Sequence, residues 1–395
     1  MKTPPTIAGI EVRPPATEDF TSDLRSAAVA ARVGLWLGVC FGICFLTGLV
    51  SHYAQNVNQP IPFPTNPSWG YRVNQGLHVT TGIAAIPLLL VKLWTVFPLL
   101  FEKIPFRDPR ALILTALERG SIAALVAASV FQLTTGLMNS TQWYPWDFSF
   151  RRTHYALAWV AIGALLVHIA VKLPLIRDAL RRDIDDTTND RDVATTPGPI
   201  SRRGLLRSTW LASGIAVLAT AGSTVPLLRK VSVLGVRSGD GPGGIPINRS
   251  AKAAGVTATA TRADWTLTVS NGSTTIALTR LQLEMMPQRT ETLPIACVEG
   301  WSASGDWTGV RMRDVLDLVE APRDRDIVVT SLQTMGAFGV TTLQGNFADD
   351  DRTLLALKLN GETIAIDHGY PVRVIAPNRP GVLQTKWLTS LEVQS

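Results

Sequence analysis

Leu293–Val319 reads LPIACVEGWSASGDWTGVRMRDVLDLV and holds Cys297, the only cysteine beyond Cys44. The stretch opens as a short apolar run suited to a strand, passes through a Gly/Ser/Trp-rich segment, and takes on helical spacing at Gly309–Val319. Short β-rich runs separated by turns surround it: WTLTVSNG (265–272), TTIALT (274–279), DIVVTSL (326–332), LLALKLNGETIAI (354–366) and PVRVIAP (371–377). Asn271-Gly272 and Asn360-Gly361 are hairpin dipeptides. Residues 245–395 are therefore expected to form an α+β, mostly β, globular domain.

Everything before that domain has a different composition. Charge-free apolar runs occur at Val33–Ser51, Gly76–Val91, Gly120–Trp146, Tyr155–Val171 and Ser208–Leu228. Most approach the roughly 20 residues that cross a bilayer. An α-helical membrane bundle of four helices (31–175), followed by a fifth tethering helix (204–230), is expected. Lys92 interrupts the second run near its end, where its ammonium can snorkel to the interface. Lys and Arg gather before helix 1, between helices 2 and 3, and between helices 4 and 5, so the N-terminus is expected in the cytoplasm. Five crossings then place residues 245–395 outside it. The formal charge of +6 follows from this inward excess. No basic stripe with interleaved aromatics suggests nucleic acid.

Residues 1–30 read as a disordered cytoplasmic start, and 176–203 as a polar linker closed by Pro197-Gly198-Pro199. At its end Ser201–Gly214, SRRGLLRSTWLASG, matches a twin-arginine export signal. Two readings stand together: an internal export signal, and arginines flanking the cytoplasmic end of helix 5.

Four of the five histidines, His52, His78, His154 and His168, lie in or beside the first four helices. Ligating side chains at membrane depth are costly and mark function. From His154 to His168 is 14 residues, about 3.9 turns and roughly 21 Å on one helix face, the spacing of two stacked b haems. Interfacial histidines bonded to neighbouring helices are the alternative. His78 and His154 both open helices on the outer side and are expected to lie level, whereas His168 has no evident partner because Lys92 stands where one would be. The pattern resembles the four-helix di-haem cytochrome b subunits of membrane formate dehydrogenases and hydrogenases. That resemblance implies one haem b, two being possible, with His52 an alternative outer ligand and quinone or quinol as electron partner. Arg151 and Arg152, beside His154, could pair with haem propionates.

A lone thiol in an exported domain suggests metal ligation, with a buried inert cysteine as the other reading. Cys-Val-Glu-Gly-Trp-Ser at 297–302, followed by Trp307-x-Gly309-Val310, resembles the molybdopterin-binding domain of the sulfite oxidase superfamily. His368-Gly369-x-Pro371-x-Arg373 resembles that family's pterin-binding segment, and Gln384-Thr385-Lys386-Trp387-Leu388 its phosphate-holding loop. Asn248 and Arg249 stand where its first cofactor contact begins. The resemblance implies a molybdenum–molybdopterin cofactor with Cys297 as metal ligand and catalytic centre. Asn248, Arg249, His368, Arg373, Gln384, Thr385 and Lys386 become cofactor contacts. Sulfite oxidases follow the cysteine with arginines, whereas Val298-Glu299-Gly300-Trp301 looks more like the bacterial exported methionine sulfoxide reductases. The expected protein is thus a multi-pass bacterial membrane oxidoreductase joining the quinone pool, haem b and an extracytoplasmic molybdenum site that acts on a small molecule. A sulfite-type dehydrogenase and a scaffold that has lost its cofactor are the rivals.

Overall fold

The computed structural model describes residues 6–7, 10–11, 15–57, 59–188, 190–235 and 241–395. It begins with a two-stranded pair, β1 (Thr6–Ile7) and β2 (Ile10–Glu11). Most of residues 1–14, expected to be disordered, lie outside the described residues. The expectation needs correction beyond them: Thr17–Phe20 and Asp23–Arg25 are 3-10 turns, and Arg25 is buried with its guanidinium 4.6 Å from the Trp94 ring.

Among the described residues five helices are long and apolar enough to cross a membrane. They are α1 (Ala27–Ala54), α2 (Gly70–Val96), α3 (Pro109–Ser140), α4 (Phe150–Arg181) and α5 (Arg202–Thr220). The fifth, expected to run to 230, stops at Thr220 and continues as 3-10 turns Ala221–Ser223 and Pro226–Leu228. Pro226 has no amide hydrogen with which to extend a helix.

The chain divides into two compact units. The first comprises Met1–Phe45, Thr80–Leu137 and Trp146–Val217. Its core packs Val29, Val33 and Leu37 of α1 with Ala85, Leu88 and Leu89 of α2. Outward, Leu117, Leu166, Val171 and Leu211 are exposed, an apolar surface wider than water-soluble proteins tolerate. Lys92 donates to the carbonyl of Ala30, 2.8 Å away.

The second unit comprises Leu46–Val79, Met138–Pro145 and Leu218–Ser395. Its strands are β3 (Thr266–Asn271), β4 (Thr274–Thr279), β5 (Arg289–Ala296), β6 (Ser302–Arg311), β7 (Ile327–Ser331), β8 (Val340–Leu343), β9 (Leu354–Leu359), β10 (Glu362–Thr363), β11 (Arg373–Ile375) and β12 (Leu388–Val393). One sheet has the order β4-β3-β12-β7-β8, antiparallel except for β12 beside β3. The other has the order β10-β9-β6-β5, with β11 also pairing β9. This is the mostly β domain expected. Alternation does the sorting: in β7 Ile327, Val329 and Ser331 are buried while Val328 and Thr330 are less so. Asn360 and Gly361 both take positive φ, 50° and 85°, the type I′ turn that Asn-Gly favours.

The helical spacing read at Gly309–Val319 is wrong for its first three residues, because β6 extends to Arg311 and the helix covers only Met312–Asp317. A Cβ at Gly309 would come within 2.0 Å of the Leu355 carbonyl, at a register shift between β6 and β9. Backbone approach of that kind belongs to a sheet. Trp307, two residues earlier on the strand, is fully buried and donates Nε1–H to the Leu293 carbonyl at 3.3 Å. Truncation to Ala would cost about 3–5 kcal/mol.

Candidate active site

Cys297 follows the last residue of β5 and begins a tight turn. Its amide donates to the Trp301 carbonyl (2.8 Å), and its carbonyl accepts from the Gly300 amide (3.1 Å). Gly300 has φ of 83°, a conformation an L side chain rarely adopts. Burial and the neighbouring Glu299 carboxylate push the Cys297 thiol well above its ordinary pKa. In this setting the sulfur stays a thiol unless a metal's charge makes it a thiolate. The thiol lies 3.8 Å from Glu299 Oε2, which also accepts from Trp301 Nε1 (3.3 Å) and Gln142 Nε2 (3.0 Å). Burial holds the Glu299 carboxyl above the usual range. Tyr144 is pushed up to about 12, first by burial and then by the Glu299 charge.

Three residues that sequence reasoning missed secure this turn. Asn139 donates to the Val298 carbonyl (2.7 Å), Gln142 holds Glu299, and Gln75 of α2 donates to the Cys297 carbonyl (3.4 Å). No sequence pattern signals them, since each is an amide in a helix end or loop far along the chain from Cys297.

The second cluster gathers on the chain from Ile366 to Lys386. A 3-10 turn Ile366–His368 ends at Gly369, φ 115°, where a Cβ would meet the Arg373 and Lys386 side chains at 3.0 Å. Only glycine lets these two cations approach the turn. Arg373 donates to the carbonyls of His368 (2.9 Å) and Gln384 (3.1 Å). Lys386 donates to Asn248 Oδ1 (3.1 Å) and to the carbonyls of Arg249 (2.6 Å) and Asp367 (2.9 Å). The structure therefore brings Asn248, Arg249, His368, Arg373 and Lys386 together. Gln384 instead braces backbone, bonding Ala376 N and O at 2.8 Å, and Thr385 Oγ1 meets Thr341 Oγ1 at 2.8 Å.

Electrostatically the cluster is unbalanced. Burial, with Arg373 adding to it, pushes Lys386 down to about 7. Burial with Arg373 and Lys386 pushes His368 down to about 4, and burial alone lowers Arg373 and Arg379. His368 Nε2, Arg373 Nε, Arg249 Nε and Arg379 Nη1 are buried without a hydrogen-bond partner among the described residues. Buried cations without anions are expensive. The donor set fits a phosphate-bearing, anionic cofactor, whose charge would restore these groups to their ordinary state. Cys297 and Lys386 each feel the other's charge. Arg379, whose Nη2 donates to Thr342 O (2.7 Å), was not singled out in the sequence; a buried arginine in Asn-Arg-Pro-Gly was its only signal.

The membrane histidines fall as follows. His78 is on α2, which starts at Gly70, so it lies within the helix and does not open it. Its Nδ1 is 3.1 Å from Thr47 Oγ1. His154 and His168 both lie on α4, and His154 Nδ1 is 3.0 Å from Thr135 Oγ1. His52, Arg151 and Arg152 are exposed, and His168 is half-buried.

Residues 254–395 match the family described as oxidoreductase molybdopterin binding domain. Relatives agree: the sulfite oxidase of Arabidopsis thaliana is 33% identical over 118 residues, covering 24% of this chain and 28% of its own length. A protein named as a protein-methionine-sulfoxide reductase subunit, YedZ1, from Azospira oryzae is 31% identical over 112 residues, covering 28% of this chain and 42% of its own length. The NADPH nitrate reductase of Leptosphaeria maculans is 33% identical over 101 residues, 24% of this chain and 11% of its own length. The chain thus spans less than half of each of these relatives. The family match and these likenesses point to an oxidoreductase domain, and the long apolar helices fit a membrane protein.

Proposed function

We propose that the protein is a one-chain redox relay of the bacterial cell membrane. It passes electrons from quinol through haem b, ligated by His78 and His154, to a molybdenum site at Cys297 that reduces a small sulfoxide. The observation that carries the molybdenum site is the pair of buried nitrogens without a hydrogen-bond partner among the described residues, His368 Nε2 and Arg373 Nε, in the same donor cluster as Lys386 and in the domain that also buries the Cys297 thiol. A scaffold with no anion to bind would gain stability by shedding those charges. When bound, the cofactor supplies two-electron oxygen-atom transfer: a sulfoxide takes two electrons and two protons, its S–O bond breaks, and a thioether and water leave.

In this reading Cys297 holds the metal as a thiolate, and Lys386 and Arg373 hold the phosphate, with His368 and Arg249 as further donors. Asn139, Gln142 and Gln75 fix the Cys297 turn through Val298, Glu299 and the Cys297 carbonyl. Arg151 and Arg152 are proposed to meet haem propionates; His168 would serve a second haem, and His52 is an alternative ligand for the outer one. The likeness to a protein named as a methionine-sulfoxide reductase subunit supports the choice of substrate class. Likeness to sulfite oxidase supports the reverse direction, a sulfite-type dehydrogenase feeding quinone.

Topology belongs to the same proposal. The N-terminus is cytoplasmic, and the twin-arginine pair exports residues 245–395 already folded around their cofactor. The proposed domains are 31–175 for haem, 204–230 for the tether and 245–395 for molybdenum. Purification of the full chain with metal and pterin analysis tests the reading: one molybdenum and one pterin per chain are expected, and their absence from protein made in a cofactor-competent cell overturns it.

A further inference from the structure

The two histidines His78 and His154 share a detail that the proposed relay does not use. Each has its Nδ1 about one hydrogen-bond length from a threonine on another helix, Thr47 on α1 and Thr135 on α3. Both threonines are buried. Each is followed by a glycine, and in the sequence these are Thr47-Gly48-Leu49 and Thr135-Gly136-Leu137, a short repeat. A Cβ at Gly48 would meet His78 Cε1 at 3.4 Å, and one at Gly136 would meet His154 Cε1 at 3.6 Å. The glycines leave room at the ring edge that any longer side chain would fill.

The hydrogen-bond arithmetic at Thr135 fixes a tautomer. A threonine hydroxyl has one proton, and Thr135 Oγ1 sits 2.7 Å from the Phe131 carbonyl, which can only accept. The proton is committed there. Towards His154 the oxygen must therefore accept, so Nδ1 carries the hydrogen and Nε2 the lone pair. Gln132 holds the same residue by its backbone, donating to the His154 carbonyl at 2.9 Å. Asn74 ties the Thr47 carbonyl at 3.0 Å on the other helix pair.

We propose that Thr47 and Thr135 are positioning residues that hold His78 and His154 in the Nδ1–H tautomer, each ring fixed to present Nε2 to haem iron. The inference rests on the proposed haem ligation and concerns the groups behind the ligands. An Nδ1–H that donates to a fixed acceptor makes the imidazole a better electron donor and sets its plane, and losing such a partner typically weakens metal holding about 10- to 100-fold. The same loss removes donation to ferric iron, so the reduction potential rises.

The test compares the full chain in detergent as wild type, Thr135→Val, Thr47→Val and Thr135→Ser. Haem retention is read by titrating with a competing haem-binding protein, and the potential by redox titration of the haem absorption band. Either valine variant should hold haem about 10- to 100-fold less tightly, with a raised potential in whatever haem remains, and serine should restore both. Molybdenum content unchanged from wild type marks each variant as folded. Should one valine variant fail to accumulate, the other, on a different helix pair, gives the same reading. Wild-type protein that carries no haem overturns the ligation itself. Wild-type protein that carries haem, with valine variants equal to it in retention and potential, overturns the inference alone.

Discussion

Changing Lys386 to Met removes the ammonium but keeps an unbranched chain against the Trp387 ring, 4.6 Å from Nζ. The Lys386 pKa falls from 10.5 to about 7 on folding, chiefly by burial. That depression corresponds to a penalty of roughly 5 kcal/mol for burying the charged form, at pH values below 7. Between pH 7 and 10.5 the unfolded chain binds a proton that the folded one does not, so cofactor-free wild type gains stability as pH rises, by up to about 1.4 kcal/mol per pH unit. Histidine 368 titrates between about 4 and 6.5, below this window. In Lys386→Met that contribution to the slope is lost. Three charge-assisted hydrogen bonds, to Asn248, Arg249 and Asp367, are lost at about 1.5 kcal/mol or more each, which offsets nearly all of that burial penalty near pH 6.5, so the pH slope and not the absolute stability tells the two proteins apart. Guanidinium unfolding of both proteins, made in cells lacking the cofactor, at pH 6.5 and 9.5 reads this directly. Made in competent cells, Lys386→Met should retain little pterin. Equal pH slopes in the two cofactor-free proteins, or wild-type pterin content in the variant, would refute the assignment of Lys386 as an anion-holding cation.

Further expectations concern the other parts. Cys297→Ser should keep most of its pterin but lose turnover, because a serine hydroxyl resists the deprotonation that a metal ligand needs; pterin fluorescence and activity separate the two. His78→Ala and His154→Ala should each abolish the low-spin haem spectrum, and an unchanged pyridine haemochrome in both would remove these ligands. Arg203→Lys should block export of a reporter fused after Ser395. Arg203 is the cleaner choice because it is exposed and pairs with Asp183 and Asp185 (3.0 Å each), pairs that Lys can also make. Arg202 is buried against Asp190 and donates to the carbonyls of Asp23 (3.0 Å) and Ile184 (3.1 Å), so its replacement would also loosen the fold. Normal export of Arg203→Lys would leave the pair a structural role only.

How much of this was legible in the sequence depended on the range of the interaction. Apolar runs and Asn-Gly turns are local, and they gave five long helices and the Asn360-Gly361 hairpin directly. Gly309–Arg311 misled because helical spacing was read across a strand whose glycine serves a close backbone approach to Leu355. At the site, the cysteine and the cations Arg373 and Lys386 stand in segments that resemble the sulfite oxidase superfamily, and that resemblance picked them out. Gln75, Asn139 and Gln142 act through amides brought in from far along the chain, and nothing in their own neighbourhoods announces it. The Thr-Gly pairs were visible as a repeat, but their meaning depends on which histidine each one faces.

The central claim is that electrons entering the membrane helices leave through Cys297 to a sulfoxide. Membranes containing the protein, held anaerobically with quinol until the haem is reduced, should show reoxidation of the haem band when methionine sulfoxide is added, and none in Cys297→Ser. Reoxidation that persists in Cys297→Ser, or haem reduction on adding sulfite in place of the sulfoxide response, would contradict it.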